Sequence, residues 1–328
     1  MTLEIRRTAF APCLLSAPLL AACAAVAPQA PGPAQAMPHD DDWQLVWADD
    51  FDGNAIDAER WNLIEDCWGG GNNEQQCYTA RPSNVSVEDG ALVITARDED
   101  FTGPAWPAHF AGPSFDMTEQ ATKPFTSAKL TTQGLADWTY GRFEMRARLP
   151  QGQGVWPAFW MLPSDDRYGG WPEAGEIDIL EAVNLGVECD TCEPGGESSI
   201  LGTLHYGGDG DSSTYTNREI VEPQVLDGDF HVYGAIWEKG RISWTLDGKV
   251  FGTIEASDWY TVSSDDPEAP FDQPFYLILN LAIGGNWPES TALGGVSTQG
   301  FPKQMEIDWV RVWQCEADAA TGRGCTGD

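Results

Sequence analysis

The stretch FHVYGAIWEKGRISWTLDGKVFGTI, residues 230–254, holds three runs rich in aromatic and β-branched residues, separated by Lys239-Gly240 and Asp247-Gly248. Each run is too short for an ordinary helix, and its composition suits a pleated, half-buried surface. Asp-Gly is a strong two-residue hairpin signal, because tight hairpin turns need positive φ. The stretch therefore predicts three antiparallel strands in sequence. The same grammar recurs in WQLVWADDF (43–51), ALVITARD (91–98), AKLTTQG (128–134), YGRFEMRARLP (140–150) and VWPAFWMLP (155–163). It continues through GEIDILEAV (175–183), ILGTLHY (200–206), FYLILNLAIGG (275–285) and MEIDWVRVWQ (305–314). In RFEMRARL, Phe143, Met145, Ala147 and Leu149 share one face, and Arg142, Glu144, Arg146 and Arg148 the other. No long amphipathic helix or internal repeat follows residue 42. Many short strands without helices predict an all-β fold, an antiparallel β-sandwich, as one unit over 42–315.

The composition narrows the partners. Eighteen Lys and Arg against 51 Asp and Glu give a net charge of −33. Nucleic acid and anionic membrane surfaces are poor partners for such a chain. A neutral polysaccharide is compatible, and a sulfated or uronate polymer less so. The 15 Trp fit either an aromatic core or a cleft in which rings stack on the C–H faces of sugars.

Residues 1–22 read as an export signal: Arg6 and Arg7 precede an apolar run, Ala9 to Ala22, too short to span a bilayer comfortably. Leu20-Ala21-Ala22-Cys23 is similar to a bacterial lipobox, which implies cleavage before Cys23 and lipidation of its thiol. The alternative is an ordinary signal cut near Ala34–Ala36. With Ala24 next, the lipoprotein reading favours the outer membrane or periplasm, and the ordinary signal favours secretion. Residues 23–41 form an Ala/Pro-rich tether, and 316–328 a C-terminal tail. Six further cysteines suit an oxidising compartment. Proximity suggests Cys67–Cys77 and Cys315–Cys325 bridges; Cys189 and Cys192 form a loop staple, a redox pair or half a zinc site. No second CxxC accompanies them, which favours the staple.

Within Gly175–Val183 lie Glu176, Asp178 and Glu181. In a regular strand, Glu176 and Asp178 share a face and Glu181 points away. One bulge around Ile179 or Leu180 brings Glu181 back to their face, and bulges are common beside active sites. Three carboxylates cannot share a dry core, so the face must line a wet cleft or a cation cage. A calcium loop usually interleaves its acids with Gly, Asn and carbonyls; this run is apolar between them. Paired carboxylates are the machinery of glycoside hydrolysis: one attacks the anomeric carbon while the other protonates the leaving oxygen. Asp178 would position the nucleophile, and its charge, with that of Glu176, would raise the pKa of Glu181.

With these residues in hand, EIDILE resembles the bulged E-x-D-x-x-E signature of glycoside hydrolase family 16, in its bacterial laminarinase-like form. WGGGNNEQQCYTARPSNVSVEDGALVITAR, YGRFEMRARLPQGQGVWPAFWMLP, LHYGG, LNLAIGGNWP and IDWVRVW are similar to that family's blocks, in the expected order. The resemblance implies a β-jelly roll with a concave cleft over 42–315 and retaining endo-hydrolysis of β-1,3-glucan, with mixed-linkage β-1,3/1,4-glucan as a second substrate. It assigns Glu176 as nucleophile, Asp178 as assisting acid and Glu181 as acid/base. It places Asn72, Arg142, Trp156, Trp160, Trp171, His205 and Trp287 against the sugar, leaving open whether Asn72 or Asn73 makes its contact. It implies no catalytic cofactor, but a structural Ca²⁺ at Asp50, the Gly90 carbonyl and Asp308. A monomer is expected. The competing readings are a family 16 hydrolase or transglycosylase on another polysaccharide, such as an agar-type galactan, and a non-catalytic glucan-binding protein. The last should have lost an acid, and all three are present.

Overall fold

A computed structural model of the protein describes residues 42–190, 192–290 and 295–326. The signal, lipobox and tether readings fall on residues 1–41, outside the described residues. The strands are β1 (Trp43–Asp49), β2 (Asn62–Leu63), β3 (Gln76–Tyr78), β4 (Val85–Glu88), β5 (Ala91–Pro104), β6 (Gln120–Ser127), β7 (Lys129–Thr131), β8 (Gly141–Arg148), β9 (Val155–Pro163), β10 (Glu176–Glu181), β11 (Ser199–Gly207), β12 (Ser213–Val221), β13 (His231–Glu238), β14 (Arg241–Leu246), β15 (Lys249–Glu255), β16 (Phe275–Ile283) and β17 (Lys303–Cys315). One five-residue α-helix, α1 (Asn286–Ser290), is described beside them.

The meander of 230–254 forms as read. Glu238 pairs with Arg241 and Leu246 with Lys249 across two-residue turns. Asp247 and Gly248 have φ of 48° and 75°, the left-handed pair that such a turn requires. These strands begin the larger sheet, β15-β14-β13-β8-β17-β5-β6-β3, to which β1 adds along β17 and β4 along β5. The smaller sheet runs β12-β11-β10-β9-β16-β7-β2. The two enclose one core, to which β8 gives Phe143, Met145 and Ala147, β9 gives Phe159 and Met161, and β16 gives Leu277, Leu279 and Leu281. This is the antiparallel jelly-roll sandwich that the strand grammar predicts. Each sheet buries one face, so the outward face of the smaller sheet is free to carry a site.

The three predicted bridges, Cys67–Cys77, Cys189–Cys192 and Cys315–Cys325, are all formed. The segment after Cys315 turns back onto the sandwich. Arg323 donates to the Lys239 carbonyl at 3.0 Å, and Arg241 to Thr326 Oγ1 at 3.0 Å.

Candidate active site

β10 is bulged where its acids require it. On the β9 side Asp178 faces Trp160 and Leu180 faces Phe159, so two steps on β10 match one on β9. On the β11 side Asp178 faces Thr203 and Glu181 faces Leu201. The extra residue is Ile179. Ile177, Ile179 and Leu180 go into the core, while Glu176, Asp178 and Glu181 share the outward face.

A bulge leaves backbone groups outside the ladder. Here the Asp178 carbonyl accepts a 2.7 Å hydrogen bond from the indole N–H of Trp244, which reaches across the core from β14 in the opposite sheet. Gly202 makes room for that ring: a Cβ there would lie 2.1 Å from Trp244 Cδ1. Trp244 thus fixes the strand where Glu181 changes face. Trp244→Phe keeps most of the volume but strands a buried carbonyl, at a cost of about 1–3 kcal/mol. The folded variant is expected to lose about tenfold in kcat with KM little changed, since a small misplacement of a reacting group is enough. Steady-state kinetics well below the melting temperature check this.

The acids differ in their surroundings. Glu176 Oε2 accepts from the Trp171 indole at 2.7 Å. Glu181 Oε1 accepts from the Trp156 indole at 3.1 Å, and its Oε2 from the Thr203 hydroxyl at 3.4 Å. His205 Nε2 stands 3.4 Å from Asp178 Oδ2 and 4.0 Å from Glu176 Oε1. Burial drives the Asp178 pKa well up, helped by the charge of Glu176 and a hydrogen bond to it. Asp178 thus faces Glu176 within hydrogen-bond reach and holds its proton more readily than a free carboxyl. Burial also leads the upward shift of Glu181, and the charges of Asp178 and Glu176 add less. The charges of Asp178 and Glu176 act in the expected direction, and burial adds the larger share. The outcome is two acids in unlike surroundings on a single face: Glu176, hydrogen-bonded by Trp171, and Glu181, whose pKa burial pushes up.

The cleft crosses the strands. On the β12 side Trp171, His205 and the exposed Tyr215 stand in a row, with ring centres 5.9 and 5.7 Å apart. On the β16 side Trp156 meets Trp287 edge-on at 5.3 Å, and the Trp160 indole donates to Asn280 Oδ1 at 2.6 Å. Lys129 lies over the Trp160 ring at 4.8 Å. Beyond it, Asn280 Nδ2 donates to the Tyr78 hydroxyl at 3.1 Å. The structure thus gathers Trp156, Trp160, Trp171, His205 and Trp287 around the three acids. The Asn72–Asn73 turn is tied to the same end: the Asn72 carbonyl accepts from Asn286 N at 2.7 Å, and Asn73 Nδ2 donates to Asn286 Oδ1 at 2.8 Å. Asn280, Thr203, Lys129, Tyr215 and Trp244 were not picked out from the sequence. Thr203 sits two residues before His205, and Asn280 is the polar break in FYLILNLAI, so both had a visible signal.

One expectation is corrected. Arg142 is not in the cleft. It lies on β8 in the larger sheet, facing away from the core, buried under Trp313 at 4.2 Å and Trp43 at 5.5 Å. Alternation turns Arg142 away from the core, as it does the cleft residues, but β8 belongs to the larger sheet, so its outward face is not the cleft face. The proposed calcium ligands are also taken. Asp50 Oδ1 accepts from Arg311 Nε at 2.9 Å, and Asp308 Oδ2 from Arg146 Nη1 at 2.6 Å. Each carboxylate already faces a guanidinium, which opposes a dication and uses lone pairs that a calcium ion needs. As placed, Asp50, Gly90 and Asp308 do not fit a calcium site. The sulfurs of Cys189 and Cys192 are joined, so the staple reading stands over the zinc one.

A jelly roll with two carboxyl groups in unlike surroundings between aromatic walls defines a carbohydrate-active enzyme scaffold. The chain belongs to glycoside hydrolase family 16: a family model described as "Beta-porphyranase A-D, GH16 domain" matches residues 43–315. The chain is 39 % identical over 276 residues to a glucan endo-1,3-beta-glucosidase of Cryptopygus antarcticus, covering 83 % of this chain and 92 % of that protein. It is 38 % identical over 281 residues to glucan endo-1,3-beta-glucosidase A1 of Niallia circulans, covering 82 % of this chain but only 38 % of that longer protein. The solved laminarinase of Rhodothermus marinus is 37 % identical with a TM-score of 0.66, covering 83 % of this chain and 97 % of that one.

Proposed function

We propose that the protein is a retaining endo-glycosidase acting on β-1,3-glucan, with mixed-linkage β-1,3/1,4-glucan as a second substrate. The observation that carries the reading is the Ile179 bulge, which sets Glu181 on the cleft face with Glu176 and Asp178. In the first step the Glu176 carboxylate forms a bond to the anomeric carbon. As the glycosidic C–O bond breaks, the Glu181 proton passes to the leaving oxygen. In the second step Glu181, now a carboxylate, takes a proton from water. That water's oxygen displaces Glu176 from the same carbon, and two inversions leave the configuration retained. Trp171 and Asp178 hold Glu176 in line, and Trp156 and Thr203 hold Glu181.

Relatives named for endo-1,3-glucan hydrolysis at 38–39 % identity support the substrate. A second reading, a galactan, has one observation in its favour: the matching family model is described by β-porphyranases. The net charge of −33 weighs against a sulfated polymer. The test is a product profile on laminarin, lichenan, agarose and porphyran, with the anomeric configuration followed by NMR. Oligosaccharides from laminarin with the β-anomer first are expected; products from porphyran alone, or an early α-anomer, reject the reading. Export with lipidation at Cys23 is part of the proposal, and labelling with a fatty acid in wild type and Cys23→Ala cells tests it.

A further inference from the structure

The outer half of β5 and the start of β6 form a two-stranded arm, in which Phe101 to Pro104 pair with Lys123 to Gln120. Its tip, residues 105–119, carries Trp106, His109, Phe110 and Phe115. These rings pack on one another: Trp106 on Phe115 at 5.0 Å, Phe110 on Phe115 at 4.8 Å and His109 on Phe110 at 4.7 Å. Phe110 continues the chain to Trp68 at 4.8 Å. None of the four tip rings belongs to the interior clusters, and all keep part of their surface in water. Aromatic surface gathered on an outlying arm needs a reason that the core does not supply.

The arm's place suggests that reason. It is fastened to the loop that carries Asn72: Cys67 N donates to the Pro104 carbonyl at 2.7 Å, Lys123 Nζ donates to the Glu74 carbonyl at 2.8 Å, and the Cys67–Cys77 bridge ties the loop's two ends together. That loop lies at the β7 end of the smaller sheet, where Lys129 bridges from Trp160 to Tyr78, 4.8 and 6.0 Å from the two rings. His109 feels Lys129 and Asp66 there; burial lowers its pKa first, and Lys129 adds to the shift. From β10 to β7 is three strand spacings, about 14 Å, so the arm stands several sugar units from the acids along the cleft.

We infer that this aromatic arm is an additional polysaccharide-binding subsite, which holds the part of a long neutral glucan chain that runs past the β7 end of the cleft. The occupant follows from continuity with the cleft and from the surface chemistry. Sugar C–H faces suit partly exposed rings, and Asp116 and Glu119 at the tip repel an anionic polymer. A short oligosaccharide filling only the central cleft never reaches the arm. The inference rests on the glucan reading above.

The test is the double variant Trp106→Ala/Phe110→Ala, measured on laminarin and on a laminari-oligosaccharide just long enough to be cleaved. The expected result is a KM for laminarin raised about tenfold, with kcat, the oligosaccharide kinetics and the melting temperature unchanged. An unchanged KM on laminarin overturns the inference. So does a gain in polymer turnover, which would make the arm an obstruction, or a wild-type dimer that the variant converts to monomer. If the wild type leaves laminarin intact, the substrate reading fails on its own. The arm is then judged by gel retardation of Glu176→Ala, with and without the arm changes, in the polymer that the wild type does cleave. Equal retardation rejects the subsite, and weaker retardation of the arm variant supports it.

Discussion

Glu176→Ala is expected to lose laminarin turnover by on the order of 10⁴-fold or more while still binding the polymer. Nothing else on the cleft face can replace it as the nucleophile. Burial pushes the Glu181 pKa well up, and Asp178 is buried, shifted the same way and aimed at Glu176 rather than at open cleft. Most of the sugar-facing wall does not depend on it: Trp156 and Trp160 bond to Glu181 and Asn280, while Trp171 loses a hydrogen bond and His205 keeps its contact with Asp178. Gel retardation in laminarin should therefore be close to that of the wild type. The space left by the carboxylate also gives a positive signature. With an activated aryl β-glucoside of suitable length, azide can attack from the vacated side, and the product should be an α-glycosyl azide. Turnover within about tenfold of wild type, or a β-azide, would remove Glu176 from the nucleophile's role.

Much of this site was legible before any coordinates, because alternation is strict. With a side-chain period of two, three acids at positions 176, 178 and 181 force either a bulge or a misplaced glutamate, and the apolar Ile177, Ile179 and Leu180 select the bulge. The same period, applied to RFEMRARL, already sets Arg142 opposite Phe143. Family resemblance drew Arg142 into the cleft; its outward parity agrees with that, and only the assignment of β8 to the larger sheet keeps it out. What could not be read were contacts across the sandwich. That Trp244 reaches the Asp178 carbonyl depends on which strands of the two sheets lie over one another, and Gly202 looks like an ordinary strand glycine until the indole is seen against it. The partners of the proposed calcium ligands were hidden in the same way. Asp50 and Asp308 carry the right ligand chemistry, but Arg311 and Arg146 come from positions whose convergence no local pattern encodes. The aromatic arm was invisible for a different reason: residues 105–119 have no period, and loop residues show their use only by where they are anchored.

Glu181→Gln should separate the two chemical steps and reverse a stability trade. Turnover of laminarin is expected to fall by roughly 10²–10⁴, because the glycosidic oxygen leaves without a proton. An aryl glycoside with an acidic phenol needs no such help, so its first step should survive and a burst of phenol should appear as the glycosyl-enzyme accumulates. The pH dependence follows from the direction of the shift. Glu181 works as the acid only while protonated, and its pKa is raised by burial first and by Asp178 and Glu176 next. Wild-type rate should thus fall on the alkaline side as pH rises through that elevated value, and the glutamine variant should lack this limb. The same shift bears on stability. Between the unfolded and folded pKa values the native state binds more protons than the unfolded one, so stability declines as pH rises across that window and stays reduced above it. Glutamine cannot ionise; its carbonyl oxygen can accept from the Trp156 indole, and its amide N–H can donate to the Thr203 hydroxyl. The variant should melt higher than wild type near neutral pH and lose that advantage below the ordinary carboxylate range, where both side chains are neutral. A glutamate kept for structure alone would show the opposite, with loss of stability accompanying loss of activity; a variant that melts lower at every pH would mean that Glu181 is held in the cleft by its contacts rather than for its proton.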